Sequence, residues 1–549
     1  MIIARSWNKR EQKIVISYID KNGNRKMYQK YMHHIKTYEY DENGAFDTWN
    51  NKKCNKVYKD SSTYRPNEFD MLEFMFDMKG TDDEFYLNEF HANYPIRLYT
   101  YDIETKFEPG VFPDPDLANQ EVTSISLVGP DLSCIVYGLK EMTPIQIATL
   151  KQRYLNFIHE NEFASSVLKM LGKEPKVLYQ KFDTEAELLR HWFNVIIPKI
   201  AFLGGWNSYR FDRKYLVNRI KRLFGEHEAM NMIRNGSPTR EISKVSWEEQ
   251  SGERDYVNIP LHMVEVDYME LVKQYEYAFR PYESYSLDWC GEHIVKANKI
   301  KYNGTLQELY DRDYEWYYYY NAIDSLIVQL LHQRVKCIKS PAAVASVTLV
   351  PFIASFGQVA LTTANLFKEF YDAKQHVVYD FNEIDRNRTP YEGAFCGCVP
   401  GLRNFAACFD FKSLYPSQIR TCNFSFENFV GSFYDFKTLK QYADPEKFVM
   451  FGPVVYENKG TLLKPKVGKY IGKFINEEAL VPYRKDKNYF VSVMGNVYKN
   501  DKDYAFKRMQ TRNTKGRDRY KYTGQKIEAQ LLSEIDRLIK EKESANNVA

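Results

Sequence analysis

The sequence has little of what marks a secreted or membrane protein. Its eight cysteines lie scattered without a C-x-x-C pair, and Cys396-Gly-Cys398 is the only close spacing, so reduced thiols are expected rather than disulfides. No signal-peptide-like run follows Met1, and no apolar stretch approaches the roughly 20 residues that cross a bilayer. These absences predict a soluble, cytoplasmic protein without a membrane partner.

Internal repeats, low-complexity segments and Gly/Ser linkers are also missing from the sequence. The formal net charge of +4 over 549 residues is slight, so charge neither favours nor excludes a nucleic-acid partner. A chain of this length is expected to form several domains rather than one core. The boundaries of those domains must be placed from motifs.

Two acids stand together at the end of a predicted strand, Arg97–Thr105. Asp102 and Glu104 alternate along this strand and therefore share one of its faces. Neighbouring carboxylates raise each other's pKa unless a cation lies between them. Hard carboxylate oxygens suit Mg²⁺ or Mn²⁺. The stretch predicts a divalent-metal site that acids from elsewhere in the chain complete.

A second acid, Asp212, follows an apolar strand end and a Gly204-Gly205 turn. The spacing after it predicts a helix that stops near Gly225, so Asp212 lies near a helix start, where an anion is favoured. A purely structural alternative is that Asn207 and Asp212 only cap this helix.

A third acid, Asp324, lies in a predicted helix over Glu315–Leu331, four residues after Tyr320. Residues at this spacing are neighbours on one helix face. A phenol beside a carboxylate can orient a water molecule that a metal ion has polarised. The alternative is a tyrosine-rich core helix with a solvated Asp324.

Together these segments resemble the three exonuclease motifs of the proofreading domain of family B DNA polymerases. The motifs read Asp102-x-Glu104, Asn207-x-x-x-Phe211-Asp212 and Tyr320-x-x-x-Asp324. The order of motifs along the chain is most similar to that in polymerases of T-even-type bacteriophages. The resemblance implies an RNase H-like α/β domain that removes nucleotides from single-stranded 3′ ends of DNA.

The same resemblance implies a role for each residue of the three motifs. Two divalent ions, Mg²⁺ or Mn²⁺, would activate water and stabilise the leaving 3′ oxygen. Tyr320 would position the attacking water, a task that Glu104 could share. Asn207 and Phe211 would contact DNA. The ligands implied for the two ions are Asp102, Glu104, Asp212 and Asp324.

A later segment, Phe405–Arg420, reads as an apolar strand ending in Asp410, followed by a helix start fixed by Pro416. It resembles motif A of family B polymerases, D-x-x-S-L-Y-P-S. The resemblance implies metal binding by Asp410 and Phe411. It implies contacts to the incoming dNTP by three further residues, of which the last would exclude a ribose 2′-OH: Ser413, Leu414 and Tyr415.

Two more segments resemble parts of the polymerase half. Tyr391-x-Gly393-Ala394 resembles the Y-x-G-G/A segment that binds the primer-template. The basic run Tyr483–Lys487 falls where the fingers present cations to the triphosphate, which makes Arg484, Lys485 and Lys487 candidates. The alternative for this run is a solvated charged face.

The predicted architecture is α/β and multidomain. It comprises an N-terminal domain over residues 1–96 and 337–380, the exonuclease domain over 97–336, a partial palm over 381–470 and partial fingers over 471–549. The chain carries neither a K-x-x-x-N-S-x-Y-G helix nor a D-T-D motif, which supplies the second palm aspartate. We therefore expect that it cannot extend a primer alone.

The sequence thus predicts the exonuclease-bearing subunit of a two-chain DNA polymerase, whose partner chain supplies the rest of the palm, fingers and thumb. A truncated polymerase would look the same in sequence. A free-standing 3′→5′ exonuclease is an alternative, and a non-enzymatic DNA-binding protein is a weaker one, because all four acids and Tyr320 are present.

Overall fold

The structure is a computed structural model that describes residues 1–107, 111–248, 253–276, 282–378, 401–402, 413–432, 454–457, 464–467, 489–491 and 496–546. These residues form two compact units. The first contains residues 1–35 and 59–364, and the second contains residues 36–58 and 365–549. The predicted domain boundaries remain a proposal.

A mixed six-stranded sheet is the centre of the first unit, in the order β10–β9–β8–β7–β11–β14. The strands are β7 (Leu98–Thr105), β8 (Val122–Val128), β9 (Cys134–Gly138), β10 (Val177–Lys181), β11 (Phe202–Gly205) and β14 (Val264–Asp267). β7 is antiparallel to β8 but parallel to β11, which is in turn parallel to β14. The carboxyl ends of these three parallel strands therefore meet at one edge of the sheet.

One face of this sheet is covered by a long helix, α11 (Tyr314–Val335). The seam between helix and sheet is polar: Ser124 Oγ donates to Asn321 Oδ1 at 2.8 Å, and Thr100 Oγ1 donates to the Ser325 carbonyl at 2.8 Å. Directed hydrogen bonds of this kind fix the rotation of the helix more sharply than apolar contact does. They set which side chains of α11 face the strand ends.

The opposite side of the sheet holds α6 (Asp212–Phe224) and α5 (Glu185–His191). Buried Arg219 of α6 makes two hydrogen bonds to Glu185 of α5, at 2.8 and 2.7 Å. Tyr215 of α6 donates to the Gln120 carbonyl at 2.7 Å. An apolar core that includes Tyr101, Trp192 and Phe193 packs in the same layer. These contacts fix the start of α6 beside the strand ends.

The other elements of the chain are mostly short. The remaining helices are α1 (Glu68–Asp77), α2 (Glu84–His91), α3 (Pro144–Glu160), α4 (Glu162–Leu171), α7 (Glu226–Asn235), α8 (Tyr268–Glu276), α9 (Leu287–Cys290), α10 (Leu306–Arg312), α12 (Lys339–Thr348), α13 (Gln358–Asp372), α14 (Leu414–Cys422) and α15 (Ala505–Asn546). The remaining strands are β1 (Ile2–Asn8), β2 (Lys13–Ile19), β3 (Arg25–Tyr31), β4 (His34–Tyr40), β5 (Phe46–Thr48), β6 (Lys53–Asp60), β12 (Ile242–Glu248), β13 (Arg254–Pro260), β15 (Gln375–His376), β16 (Phe429–Ser432), β17 (Val454–Glu457), β18 (Lys464–Val467), β19 (Tyr489–Val491) and β20 (Asn496–Lys499).

These strands form five further sheets. Their orders are β1–β2–β3, β12–β13, β15–β5–β6–β4, β16–β20–β19 and β17–β18. The second unit has a small apolar core in which Leu366 and Phe370 pack against Ala505 and Met509 of α15. Every helix in the described ranges is too short or too polar to cross a bilayer.

Several predicted elements agree with the structure. The predicted helices after Asp212 and around Tyr320 are α6 and α11, and β2 and β3 pair as a hairpin. Every residue of α11 from Tyr317 to His332 is buried. The polar seam with the sheet contributes to this burial.

Candidate active site

Four carboxylates face one cavity of about 320 Å³ at the carboxyl ends of the parallel strands. They are Asp102 and Glu104 of β7, Asp212 at the start of α6 and Asp324 of α11. Oxygens of Asp102, Glu104 and Asp324 all lie within 4.8 Å of one another. The structure thus brings Asp324 next to Asp102 and Glu104, which are distant from it in sequence, and it places Asp212 in the wall of the same cavity.

Asp212 reaches the cavity because α6 begins at that residue, directly after the loop that follows β11. Its Oδ1 accepts a hydrogen bond from the Ile103 N–H at 3.2 Å, so it is tied to the strand segment between Asp102 and Glu104. Its exposed fraction is 4%. Asp212 lines the cavity and no side-chain hydrogen bond caps α6, so this geometry favours a role in the cavity over the capping alternative.

Asp324 is 2% exposed, which also excludes the alternative of a solvated side chain. Tyr320 lies one helical turn before it and lines the same cavity. Asp324 Oδ1 is buried and makes no hydrogen bond within the described part of the chain. A buried oxygen without a donor has a high cost unless a cation satisfies it.

Burial and mutual repulsion act on all these acids. Burial, with the nearby charges of Asp212, Asp324 and Glu104, holds the pKa of Asp102 well above its usual range. Burial, followed by repulsion from Asp324, raises the pKa of Glu104 to about 8. Burial raises the pKa of Asp212 to about 7, although the Ile103 N–H opposes the shift. Added positive charge would therefore be strongly favoured here.

Lys299 is a residue of this site that the sequence did not indicate. Its Nζ lies 2.6 Å from Asp324 Oδ2 and donates to the Tyr320 hydroxyl at 3.0 Å. Burial disfavours its charged form, but Asp324 and its neighbours hold its pKa above the ordinary value. Lys299 sits in an irregular segment without periodicity, and its backbone N–H donates to Asp288 Oδ1 at 2.9 Å.

Asn321 is a second residue that the sequence analysis missed. Its Nδ2 donates to Asp102 Oδ2 at 2.8 Å, while its Oδ1 accepts from Ser124. This chain of hydrogen bonds fixes the orientation of the Asp102 carboxylate. One signal was available, because Asn321 lies three residues before Asp324, a spacing that shares a helix face.

Aromatic side chains form part of the cavity wall, and the predicted DNA contacts Asn207 and Phe211 are among its lining residues. The ring centroid of Phe211 is 5.9 Å from that of Phe112, whose side chain is 76% exposed. Trp206 anchors the loop through a hydrogen bond from Nε1 to the Tyr285 carbonyl. Exposed rings beside an acidic cluster suit stacking with unpaired bases.

The predicted polymerase residues fall partly within the described chain. Ser413 has a φ of 53° and immediately precedes α14, and Leu414 and Tyr415 are exposed in its first turn. Arg517 of α15 donates to Ser413 Oγ at 3.2 Å. The other predicted positions lie outside the described residues: Tyr391, Gly393, Asp410, Phe411, Arg484, Lys485 and Lys487.

Comparison with known proteins agrees with this geometry. Residues 80–289 match the family model of the DNA polymerase family B exonuclease domain. The chain is 28% identical over 348 residues to the DNA-directed DNA polymerase of Escherichia phage RB69 and 26% identical to that of Enterobacteria phage T4. It is also 25% identical over 357 residues to the DNA polymerase delta catalytic subunit of Schizosaccharomyces pombe.

Each of these matches covers 62% of this chain. The matched part spans about a third of the phage enzymes, 36% of each, and 29% of the yeast subunit. The matched family domain contains Asp102, Glu104 and Asp212, and Asp324 follows it. Residues 80–289 of this chain are therefore similar to the exonuclease domain of the family B DNA polymerases.

Proposed function

We propose that residues 97–336 hydrolyse DNA from single-stranded 3′ ends, one nucleotide at a time. The observation that carries this proposal is the carboxylate cluster of Asp102, Glu104 and Asp324, whose oxygens approach within 4.8 Å in a cavity that also holds Asp212. Asp102 and Glu104 lie in the segment that matches the family B exonuclease domain. Such a concentration of hard oxygen ligands suits the divalent ions that assist phosphodiester hydrolysis.

The residues present fit a pair of divalent ions. Their ligands are carboxylate oxygens, which Mg²⁺ and Mn²⁺ prefer, and buried Asp324 Oδ1 lacks a hydrogen bond in the described chain. We propose that Asp102, Glu104, Asp212 and Asp324 hold these ions. When bound, the ions would supply the positive charge that lowers the pKa of a water molecule and stabilises the leaving 3′ oxygen.

The protein's own groups would orient the reactants. The Tyr320 hydroxyl accepts a hydrogen bond from Lys299 Nζ, which leaves its proton and one lone pair for other partners. We propose that this hydroxyl positions the attacking water against the scissile phosphate, a task that Glu104 shares. Lys299 adds a positive charge that attracts the phosphate and compensates the charge of Asp324.

The substrate is proposed to be an unpaired strand end. Phe112 and Phe211 offer ring faces at the mouth of the cavity, and Asn207 offers an amide beside them. Bases stack on such rings whatever their sequence, because every base has a π face. A base inside a duplex hides that face, so a mispaired, frayed end would enter more readily than a paired one.

A single degradation assay tests the proposal. A 5′-labelled single-stranded DNA is incubated with the chain and Mg²⁺, and the products are resolved by length. We expect a ladder that shortens from the 3′ end, and no shortening with the Asp102→Ala variant or with a chelator. Persistence of the ladder in Asp102→Ala would refute the proposed site.

We further propose that the chain is the exonuclease-bearing part of a two-chain DNA polymerase. Residues 381–470 would be a partial palm and residues 471–549 partial fingers. The support is the motif A resemblance around Ser413–Tyr415, beside which Arg517 lies. The partner chain would supply a second aspartate, which a two-metal palm requires.

A primer-extension assay separates this arrangement from its alternatives. A labelled primer on a template is given Mg²⁺ and all four dNTPs. We expect shortening without extension by this chain, and extension once a chain carrying the missing palm, fingers and thumb is added. Extension by this chain alone would contradict the proposal, and failure of the two chains to associate would favour a free-standing exonuclease.

A further inference from the structure

A buried carboxylate behind the candidate site has no part in the mechanism described so far. Asp267 is the last residue of β14 and is 2% exposed. The parallel pairing of β11 and β14 places it beside Gly205, where the chain leaves β11 toward Asn207. A buried acid is costly unless its oxygens are well satisfied, so its local role deserves an explanation.

Four backbone N–H groups surround the Asp267 carboxylate. Its Oδ1 accepts from Asn207 at 3.1 Å and its Oδ2 from Tyr209 at 3.3 Å. Oδ1 also accepts from Met269 at 3.1 Å and from Glu270 at 3.4 Å, in the first turn of α8. One side chain thus ties the loop over residues 205–211, which we call the substrate loop, to the start of a helix.

The substrate loop has a conformation that needs such support. Asn207 has a φ of 60°, in the left-handed region that residues other than glycine seldom adopt. The turn is also tight, because a Cβ on Gly205 would lie 2.6 Å from Ser208 Cβ. The Tyr209 hydroxyl also donates a hydrogen bond to the Glu265 carbonyl at 2.5 Å. Glu265 lies in the same strand as Asp267.

The loop carries three residues that line the cavity, Trp206, Asn207 and Phe211, and Asp212 follows it. Asp267 itself is not among the residues lining the cavity. Its hydrogen bonds act on the reaction through the loop, while its charge also acts on Asp212. Because its hydrogen bonds reach Asn207 and Tyr209, they act on the part of the loop that faces the DNA strand.

We propose that Asp267 is a positioning residue that holds Asn207 in place for the unpaired 3′ end of DNA. This inference rests on the proposed exonuclease function. It assigns to Asp267 an effect on strand binding, transmitted by hydrogen bonds from its carboxylate to the backbone of the substrate loop. The chemical step at the carboxylate cluster should be affected much less.

The experiment compares Asp267→Asn, Asn207→Ala and the double variant in steady-state degradation of single-stranded DNA. We expect each single variant to raise KM about tenfold and to change kcat less than about threefold. The KM of the double variant should not exceed the higher KM of the two single variants, because the two residues act as one unit. Asp131→Asn is a matched control, because Asp131 also accepts a backbone N–H, from Ser133, but in the turn between β8 and β9.

An unchanged KM in Asp267→Asn, or multiplied effects in the double variant, would overturn the inference. Hydrogen exchange of the wild-type chain gives a test that does not depend on the variant folding. The Asn207 and Tyr209 amides should exchange slowly, and rapid exchange of both would equally overturn it. Absence of any degradation by the wild-type chain would instead refute the proposed function. The role of Asp267 would then be tested by comparing the affinities of the wild type and the variants for a labelled single-stranded oligonucleotide.

Discussion

At the scale of single residues, the acids of the candidate site are buried close to one another, although their negative charges repel. Burial and neighbouring acids raise the pKa of Asp102, Glu104 and Asp212. A carboxyl group with a raised pKa in the folded state destabilises the fold once the pH exceeds its unfolded value. The site therefore has an energetic cost in the absence of bound cations, and neutral substitutions of its acids should change stability and activity in opposite directions.

Replacing Glu104 with Gln tests this balance. We expect degradation to fall by about 100-fold or more, because the variant removes one of the oxygen anions of the cluster. In a chelator the thermal midpoint should rise, since the amide removes a buried, repelled charge. Calorimetry of the wild type and the variant, in chelator and in Mg²⁺, measures these thermal midpoints. Glu141→Gln is the control, because Glu141 is a well-exposed acid paired with Lys181. A lower midpoint for Glu104→Gln in chelator would contradict the argument.

Lys299→Met should shift stability in the other direction. The methionine keeps the approximate length of the side chain but removes the cation 2.6 Å from Asp324. Leaving a buried carboxylate without its partner costs about 3–5 kcal/mol, so the midpoint in chelator should fall. Mg²⁺ should recover part of the loss because it supplies positive charge to the same acids. Equal midpoints for the variant and the wild type in chelator would show that the pair contributes nothing.

At the scale of elements, β9 and α11 approach each other closely at a glycine, Gly138. A Cβ on Gly138 would lie 2.5 Å from the Tyr318 ring, and the Tyr318 hydroxyl accepts from the N–H groups of Leu139 and Lys140. The tyrosine thus closes the end of the strand. It can approach only because position 138 has no side chain.

Gly138→Ala should destabilise the first unit by about 1–3 kcal/mol, the usual cost of overpacking a closed site. Urea unfolding monitored by fluorescence measures the change. Gly516→Ala is the matched control, because a Cβ at Gly516 in α15 meets nothing within 4 Å. The control should be neutral or slightly stabilising, as expected for alanine in a helix. Equal stability of the wild type and Gly138→Ala would show that the ring moves away freely.

The sequence predicted those elements and residues that local patterns specify. Alternation indicated β7, helical spacing indicated α6 and α11, and the three motifs named the four acids and Tyr320 before any contact was visible. Lys299 was not predicted as a site residue because it lies in an irregular segment and contacts Asp324 only in the folded chain. Asp267 was not predicted for a similar reason, since its hydrogen-bond donors include a loop about 60 residues earlier. Contacts distant in sequence leave no periodic signal.

At the scale of the whole first unit, a buried histidine joins the N-terminal strands β1 and β2 to the turn between β13 and β14. His262 is fully buried, with Nδ1 2.8 Å from Ser17 Oγ and Nε2 3.2 Å from Ser6 Oγ. Burial, with a smaller effect of Arg25, lowers the pKa of His262 to about 4. The Glu241 carboxylate, 3.9 Å from Nε2, is the nearest acid to it.

His262 makes stability depend on pH in a defined direction. Between its unfolded pKa near 6.5 and its folded pKa of about 4, the unfolded chain binds more protons, so stability falls as the pH falls. The full loss is about 3 kcal/mol. We expect urea midpoints to decrease from pH 6.5 to pH 4, and less steeply in His262→Gln. His332, also buried with a lowered pKa, retains part of the slope in that variant. Identical slopes would exclude His262 as a cause.

Because α11 is completely buried from Tyr317 to His332, evolution should accept few substitutions along it. Tyr320, Asn321 and Asp324 lie within that buried stretch, so almost any replacement along it disturbs packing as well as chemistry. We therefore expect evolution to adjust the proposed exonuclease activity mainly through substitutions at the exposed rim of the cavity, such as at Phe112. We expect a mutational scan to find α11 nearly intolerant and the rim permissive, with the permissive changes grading activity rather than abolishing it.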